Sequence, residues 1–160
     1  LVLAGAPGID PAYYQKYVSG DVPVKIIFGQ TYRLLQQAKA ALVTSGTATL
    51  ETALFRVPQA VCYYTPAGKL ISFLRRHILK VKYISLVNLV ADREVVRELV
   101  ADTMTVANVR SELNALLNDA EYRGRMLQEY DRMIKILGPA GASHQAASKM
   151  INLLSVRKGK

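Results

Sequence analysis

The sequence predicts an α/β fold, a parallel sheet with helices on both faces. Two observations predict it. Apolar runs alternate along the chain with stretches of helical periodicity. The runs LVLAG and AALV, and AVCYY after Gln59, are apolar along their whole length, as in strands buried on both faces, where a half-exposed strand would alternate. The chain has 160 residues, 51% hydrophobic and 21% charged, which is about one globular domain with room for a real core. It carries no internal repeat and no low-complexity linker.

Residues 1–8, LVLAGAPG, read as a strand and its turn, and the chain is expected to be a piece of a longer one, cut just before a strand. Asp10 caps PAYYQKYV, with Pro11 at the first helical position and Tyr13, Tyr14, Tyr17 and Val18 on one face. Residues 24–28 form a second strand, Gly29 turns the chain, and Thr31 caps TYRLLQQAKA. AALVT is the third strand, and Ser45-Gly46-Thr47 leads from it into the helix TATLETALFR, which Pro58 stops. QAVCYY is the fourth strand. TPAGKLISFLRRHILKVKY is a basic amphipathic stretch. YISLVN is predicted as a fifth strand and DREVVRELV as a helix capped by Asp92.

Two longer helices follow. Val106, Val109, Leu113, Leu116 and Leu117 share a face of the first, and Tyr122, Met126, Tyr130, Met133 and Leu137 a face of the second. Gly138-Pro139 breaks the chain before the last helix, ASHQAASKMINLL. Residues 1–154 are expected to form one domain, and 155–160 a frayed basic tail. The C-terminal helices either pack back on the sheet or reach to another domain or a second chain, and a homodimer is compatible with them.

The net charge of +9 is uneven: residues 1–91 hold 10 bases and 3 acids, residues 92–160 hold 11 and 9. Six bases and no acid lie between Thr52 and Ala91. Such a field attracts phosphate in a nucleotide, a nucleic acid or an anionic lipid surface. The bases concentrate in one amphipathic stretch and the aromatics fall on helix faces, which disfavours a stacking platform for nucleic acid. One cysteine, Cys62, excludes an internal disulfide, and with only His77 and His144 beside it a zinc site of the usual kind is not expected. Cys62 reads as core and His77 as structural. No apolar run approaches the roughly 20 residues of a membrane-spanning helix.

Three constellations carry chemistry. Ser45, Gly46 and Thr47 stand where a strand hands over to a helix, at the carboxyl end of a parallel sheet, where such folds bind ligands. Helix N–H groups, the helix dipole and a glycine that admits close approach make that place fit for phosphate. Glu51, one turn on, could accept two ribose hydroxyls. In the plainer alternative Thr47 caps the helix and Glu51 is a surface residue. The lysine of a P-loop and the three glycines of a dinucleotide fingerprint are absent.

The second constellation is Asn88, Asp92, Arg93, Glu94 and Glu98, placed by the predicted fifth strand at the same sheet edge. Asn88 could orient a phosphate or sugar hydroxyl, and Arg93 could pair with a diphosphate. An ordinary acidic helix start is the alternative. In the third, Leu70, Ile71, Leu74, Ile78 and Val81 share one helical face, opposite Lys69, Arg76 and Lys80 and flanked by Arg75 and Lys82. That is the profile of a helix on an anionic membrane surface, or of a packing helix with a solvated basic face.

Together, SGTATLETALFRVPQAVCYYTP and YISLVNLVADREVVRELV resemble the C-terminal half of the lipid-A-disaccharide synthases, bacterial glycosyltransferases of lipopolysaccharide synthesis. Ser45, Gly46, Thr47, Glu51, Pro58, Ser85, Leu86, Asn88, Leu89, Ala91, Arg93 and Glu94 carry the resemblance in order and spacing, over roughly residues 1–154. Val87 stands where the family usually has proline, Asp92 where it has glycine, and Arg97 replaces a common proline.

The resemblance implies a two-domain B-type glycosyltransferase whose Rossmann-like domains face each other across a cleft. This chain would be the C-terminal, donor-binding half, with Ser45, Gly46, Thr47, Glu51, Asn88, Arg93 and Glu94 around the donor. The donor would be UDP-2,3-diacylglucosamine, and the acceptor 2,3-diacylglucosamine 1-phosphate, a lipid monosaccharide phosphate. The product would be the β-1,6 disaccharide, with UDP leaving. The catalytic base is expected in the N-terminal domain, with no metal or other cofactor. Lys69, Leu70, Ile71, Leu74, Arg75, Arg76, Ile78, Lys80 and Lys82 would hold the enzyme at the cytoplasmic face of the bacterial inner membrane as a peripheral protein. Another UDP-sugar transferase or epimerase is the nearer alternative, and a basic nucleic-acid-binding module the more distant one.

Overall fold

A computed structural model describes residues 1–18, 22–44, 46–64, 82–139 and 141–157. Within them the fold is α/β with parallel strands flanked by helices. Strand β1 (Val2–Gly5) runs into helix α1 (Pro11–Gln15), and strand β2 (Lys25–Phe28) into helix α2 (Thr31–Leu35). Asp10 caps α1 through the Ala12 N–H at 2.8 Å, as its sequence predicts. The Tyr14 hydroxyl accepts from the Ala6 N–H at 2.7 Å, while Tyr13 and Tyr17 stay exposed. Helix α2 is shorter than its periodicity predicts, and Gln30, not Thr31, holds the cap position, with no side-chain capping bond.

Strand β3 (Ala41–Val43) leads to helix α3 (Gly46–Leu54), and strand β4 (Gln59–Tyr63) follows Pro58. The chain then departs from the predicted order. YISLVN is not a strand: Ser85 caps helix α4 (Leu86–Ala91), its hydroxyl accepting from the Asn88 N–H. DREVVRELV is not a helix: it ends in strand β5 (Arg97–Val100), and Asp92 is the C-cap of α4 rather than an N-cap. Helices α5 (Val106–Asn118), α6 (Ala120–Leu137) and α7 (Ala142–Arg157) complete the described chain. Thr105 and Asp119 cap α5 and α6, and Gly138 at φ 75° ends α6.

The strands form two parallel sheets, β1–β2 and β3–β4–β5. Val43 lies opposite Val61, and Tyr63 opposite Val100. Alternate β4 side chains point to opposite faces. Gln59 reaches the Thr49 carbonyl on α3 at 2.9 Å and the Tyr130 hydroxyl on α6 at 3.3 Å. Cys62 faces Glu112 on α5; burial first and that carboxylate second push its thiol pKa up. The core joins Ala53, Ala60, Val61, Val87, Val96, Leu116, Met126, Tyr130 and Met133. Met126, Tyr130 and Met133 thus bury the face that their spacing predicts, whereas Val106 and Leu137 are exposed.

Asp92 adopts φ 49°, ψ 32°, the left-handed conformation that glycine enters without strain. The glycine usual at this position in the resembling family answers that geometry. Asp92→Gly is therefore expected to stabilise the chain by about 0.5–1 kcal/mol. The exposed pair with Lys82, at 3.6 Å, offsets little of this. A raised urea midpoint checks it; an unchanged or lowered one contradicts it.

Candidate functional site at the carboxyl edge

Gly46 opens α3 three residues beyond β3, at the sheet's carboxyl edge. Ser45 lies outside the described residues. A Cβ on Gly46 would meet only the Tyr63 hydroxyl, at 3.9 Å, so the space over this backbone is open. Thr47 is exposed on the first turn. Thr49 and Thr52 turn their hydroxyls back to the Gly46 and Ala48 carbonyls, at 2.6 and 2.7 Å, and so belong to the helix rather than to a ligand.

Glu51 lies one turn along α3, half-buried. The Tyr32 hydroxyl donates to its carboxylate at 3.5 Å, and the Tyr32 ring stacks on Phe55 with centroids 5.3 Å apart. A helix N-terminus and an oriented carboxylate one turn away thus occupy one helix. The first can take an anion and the second two adjacent hydroxyls.

Tyr63 was not among the residues singled out from sequence. It ends β4 beside Gly46, and burial, then the Glu98 charge, push its phenol pKa up. Its signal was position alone: a polar aromatic at the carboxyl end of a strand.

The second constellation is divided. Glu98 accepts from the Ile84 N–H, the Ser85 N–H and hydroxyl, and Asn88 Nδ2, at 2.8–3.1 Å. Asn88 is fully buried. Its Nδ2 donates to the Val96 carbonyl and Glu98, and its Oδ1 accepts from the Val95 and Val96 N–H groups, at 2.8–3.0 Å. All four hydrogen-bonding positions of the amide are used within the chain.

Arg93 and Glu94 precede β5. Because β5 runs parallel to β3, they stand at the amino edge, opposite Gly46. The shared edge expected from a strand over YISLVN therefore does not hold for them. Arg93 is ion-paired to Glu129 on α6, and Glu94 pairs with Arg97 at 3.3 Å. Glu94 also lines an open groove of about 500 Å³ beside β5 with Arg97, Glu112, Asp119 and Tyr122. Asp92 is at the same edge, opposite Gly46.

Of the basic stretch only Lys82 and Tyr83 are described; Lys82 pairs with Asp92. Lys69, Leu70, Ile71, Leu74, Arg75, Arg76, Ile78 and Lys80 lie outside the described residues. Among the described residues no helix is long and apolar enough to cross a membrane.

The sequence pattern of the family described as lipid-A-disaccharide synthetase matches residues 12–150. The chain is 36% identical to the lipid-A-disaccharide synthase of Psychromonas ingrahamii over 144 residues, 90% of this chain and 36% of that protein. It is 32% identical to the synthase of a Pseudomonas putida strain over 158 residues, 98% of this chain and 40% of that one. With that of Syntrophus aciditrophicus it shares 36% over 131 residues, 82% of this chain and 34% of that one. The chain thus spans between a third and two-fifths of the length of these relatives. The pattern match over most of the chain and the identities to these synthases place it in one family: the chain belongs to the lipid-A-disaccharide synthetases.

Proposed function

We propose that this chain is the UDP-sugar-binding part of a glycosyltransferase of lipid A synthesis, the C-terminal half of a B-type fold with its domain over residues 1–154. The observation that carries the reading is the helix opening at Gly46 at the carboxyl edge of a parallel sheet, with Glu51 one turn behind it. In this reading Ser45, Gly46 and Thr47 hold the diphosphate and Glu51 the ribose. Asn88 positions α4 through Glu98 without touching the donor. Arg93 and Glu94 fix the entry to β5.

The donor in this reading is UDP-2,3-diacylglucosamine and the acceptor 2,3-diacylglucosamine 1-phosphate. The acceptor hydroxyl attacks the anomeric carbon in line as the bond to UDP breaks, giving the β-1,6 disaccharide. A base in the remainder of the enzyme takes the hydroxyl proton. The α3 N-terminus stabilises charge on the departing diphosphate, and this requires no metal. The full-length enzyme is expected to release UDP as disaccharide forms, while the 160-residue chain binds UDP weakly and turns nothing over. Turnover by the isolated chain would sink the domain assignment.

The membrane-surface role of residues 69–82 belongs to the same proposal. Each base near an anionic surface contributes roughly 1 kcal/mol, and the apolar face adds insertion. Arg75→Glu with Arg76→Glu is expected to weaken binding to anionic vesicles more than tenfold, about 1.4 kcal/mol, and to leave UDP affinity unchanged. If vesicle binding survives that change, and Leu70→Ser with Leu74→Ser unfolds the protein, the stretch is a packing helix.

A further inference from the structure

Thr47, Glu51 and Phe55 stand four residues apart and so fall along one face of α3, in steps of about 6 Å. The Phe55 N–H donates to the Glu51 carbonyl at 3.1 Å, which carries the helical register one residue past Leu54. The row runs from the exposed first turn, past a half-buried carboxylate, to a half-buried ring.

Tyr32, on the first turn of α2, closes over the last two members of this row. Its hydroxyl donates to Glu51 at 3.5 Å, and its ring lies on Phe55 with the planes 22° apart. Phe55 therefore takes one face of the Tyr32 ring. Tyr32 is nevertheless 55% exposed, and neither ring belongs to the core. What solvent meets is the other face and the edge: a flat surface, held by the ring behind it and by the carboxylate at its tip. A rigid aromatic held at both ends loses little freedom when a second ring settles on it.

The order of the row matches the order of parts in a nucleoside diphosphate. On the ribose, the two adjacent hydroxyls lie between the carbon that bears the base and the carbons that lead to the phosphates. On α3, Glu51 lies between the helix start and the aromatic pair. A ribose seated on Glu51 with its diphosphate at the helix start carries its base towards Tyr32.

We propose that Tyr32, backed by Phe55, is the platform on which the pyrimidine base of the donor stacks. Stacking reads the flat face of a base and not its hydrogen-bonding edge. The platform thus favours a nucleotide over a bare sugar diphosphate without choosing among bases. It rests on the proposed reading of Gly46 and Glu51 as a nucleotide site, and the two fail by different results.

The test compares Tyr32→Phe, which keeps the ring, with Tyr32→Leu, which loses it, in the full-length enzyme. Both lose the hydroxyl that orients Glu51, so that effect cancels. The Leu variant is expected to bind UDP roughly 5- to 150-fold more weakly than the Phe variant. With ribose 5-diphosphate, which lacks the base, the two should agree within about twofold. Equal UDP affinities overturn the platform. So does an equal loss with both ligands, which makes the ring a support for Glu51 and not a seat for the base. A second arm uses wild type alone and stands even if Tyr32→Leu misfolds. In the UDP complex, NMR cross-relaxation is expected between uracil H5 or H6 and the Tyr32 ring protons, and its absence overturns the platform. If Glu51→Ala still weakens UDP in those cases, the platform falls and the nucleotide site stays. Wild type that binds no UDP takes down both.

Discussion

Asn88→Ala is expected to cost the chain about 2–6 kcal/mol, the largest single effect among the polar residues. The substitution strips the acceptor from the buried Val95 and Val96 N–H groups, and each unpaired group costs about 1–3 kcal/mol. It also frees Glu98 from one of the donors that hold it against Ser85. A domain of this size has about 5–15 kcal/mol in total, so much of that margin goes. Urea denaturation of wild type and variant measures it. Asn88→Asp keeps the acceptor but sets a second carboxylate against Glu98, and should also lose stability. A variant that folds within about 1 kcal/mol of wild type and yet loses UDP binding would move Asn88 from the scaffold to the donor site.

Glu51→Ala in the full-length enzyme is expected to weaken UDP by roughly 5- to 150-fold, the equivalent of about 1–3 kcal/mol. Stability should hardly change, because Glu51 is only half-buried and its one hydrogen-bond partner named above, Tyr32, is exposed. The discriminating ligand is 2′,3′-dideoxy-UDP: without ribose hydroxyls it should bind wild type and variant alike. If the substitution weakens both nucleotides equally, Glu51 does not hold the ribose. Tyr32→Phe removes only the group that orients the carboxylate, and a smaller loss in the same direction is expected.

The sequence reading succeeded wherever one local rule decided the structure. Asp10-Pro11, Gly46 and Pro58 each punctuate the chain by their own chemistry, and β1 through β4 fall where the apolar runs stand. It failed between Tyr83 and Val100, where helix and strand were exchanged. YISLVN has the β-branched content of a strand, yet the Glu98 carboxylate, fourteen residues beyond Ile84, takes the backbone N–H groups that start a helix. DREVVRELV has acidic residues like a helix start, yet Ala60–Tyr63 offers Arg97–Val100 a ladder.

No local pattern encodes either interaction, so tertiary pairing overrode propensity. The site was legible in the same measure. Gly46 and Glu51 fall together as expected because one helix carries both. Arg93 and Glu94 were misplaced because their position depended on the mistaken strand.

The bond network around Gln59 also sets the order in which the chain can fold. Its backbone N–H meets Met126 Sδ at 3.4 Å, and its side chain meets Tyr130, 71 residues further on. Tyr130 in turn donates to the Val57 carbonyl. The strand at the centre of the β3–β4–β5 sheet is therefore sealed by a helix made much later. At roughly 5–20 residues per second, a ribosome needs about 4–15 s to travel from Gln59 to Met133. Through that interval Ala53, Val61 and Val87 lack their final cover. A nascent chain truncated ahead of Met126 cannot close this core, whereas one ending at Gly138 keeps every buried contact named here. Chaperone demand during synthesis should accordingly fall as α6 leaves the exit tunnel, whether or not α7 has found its place.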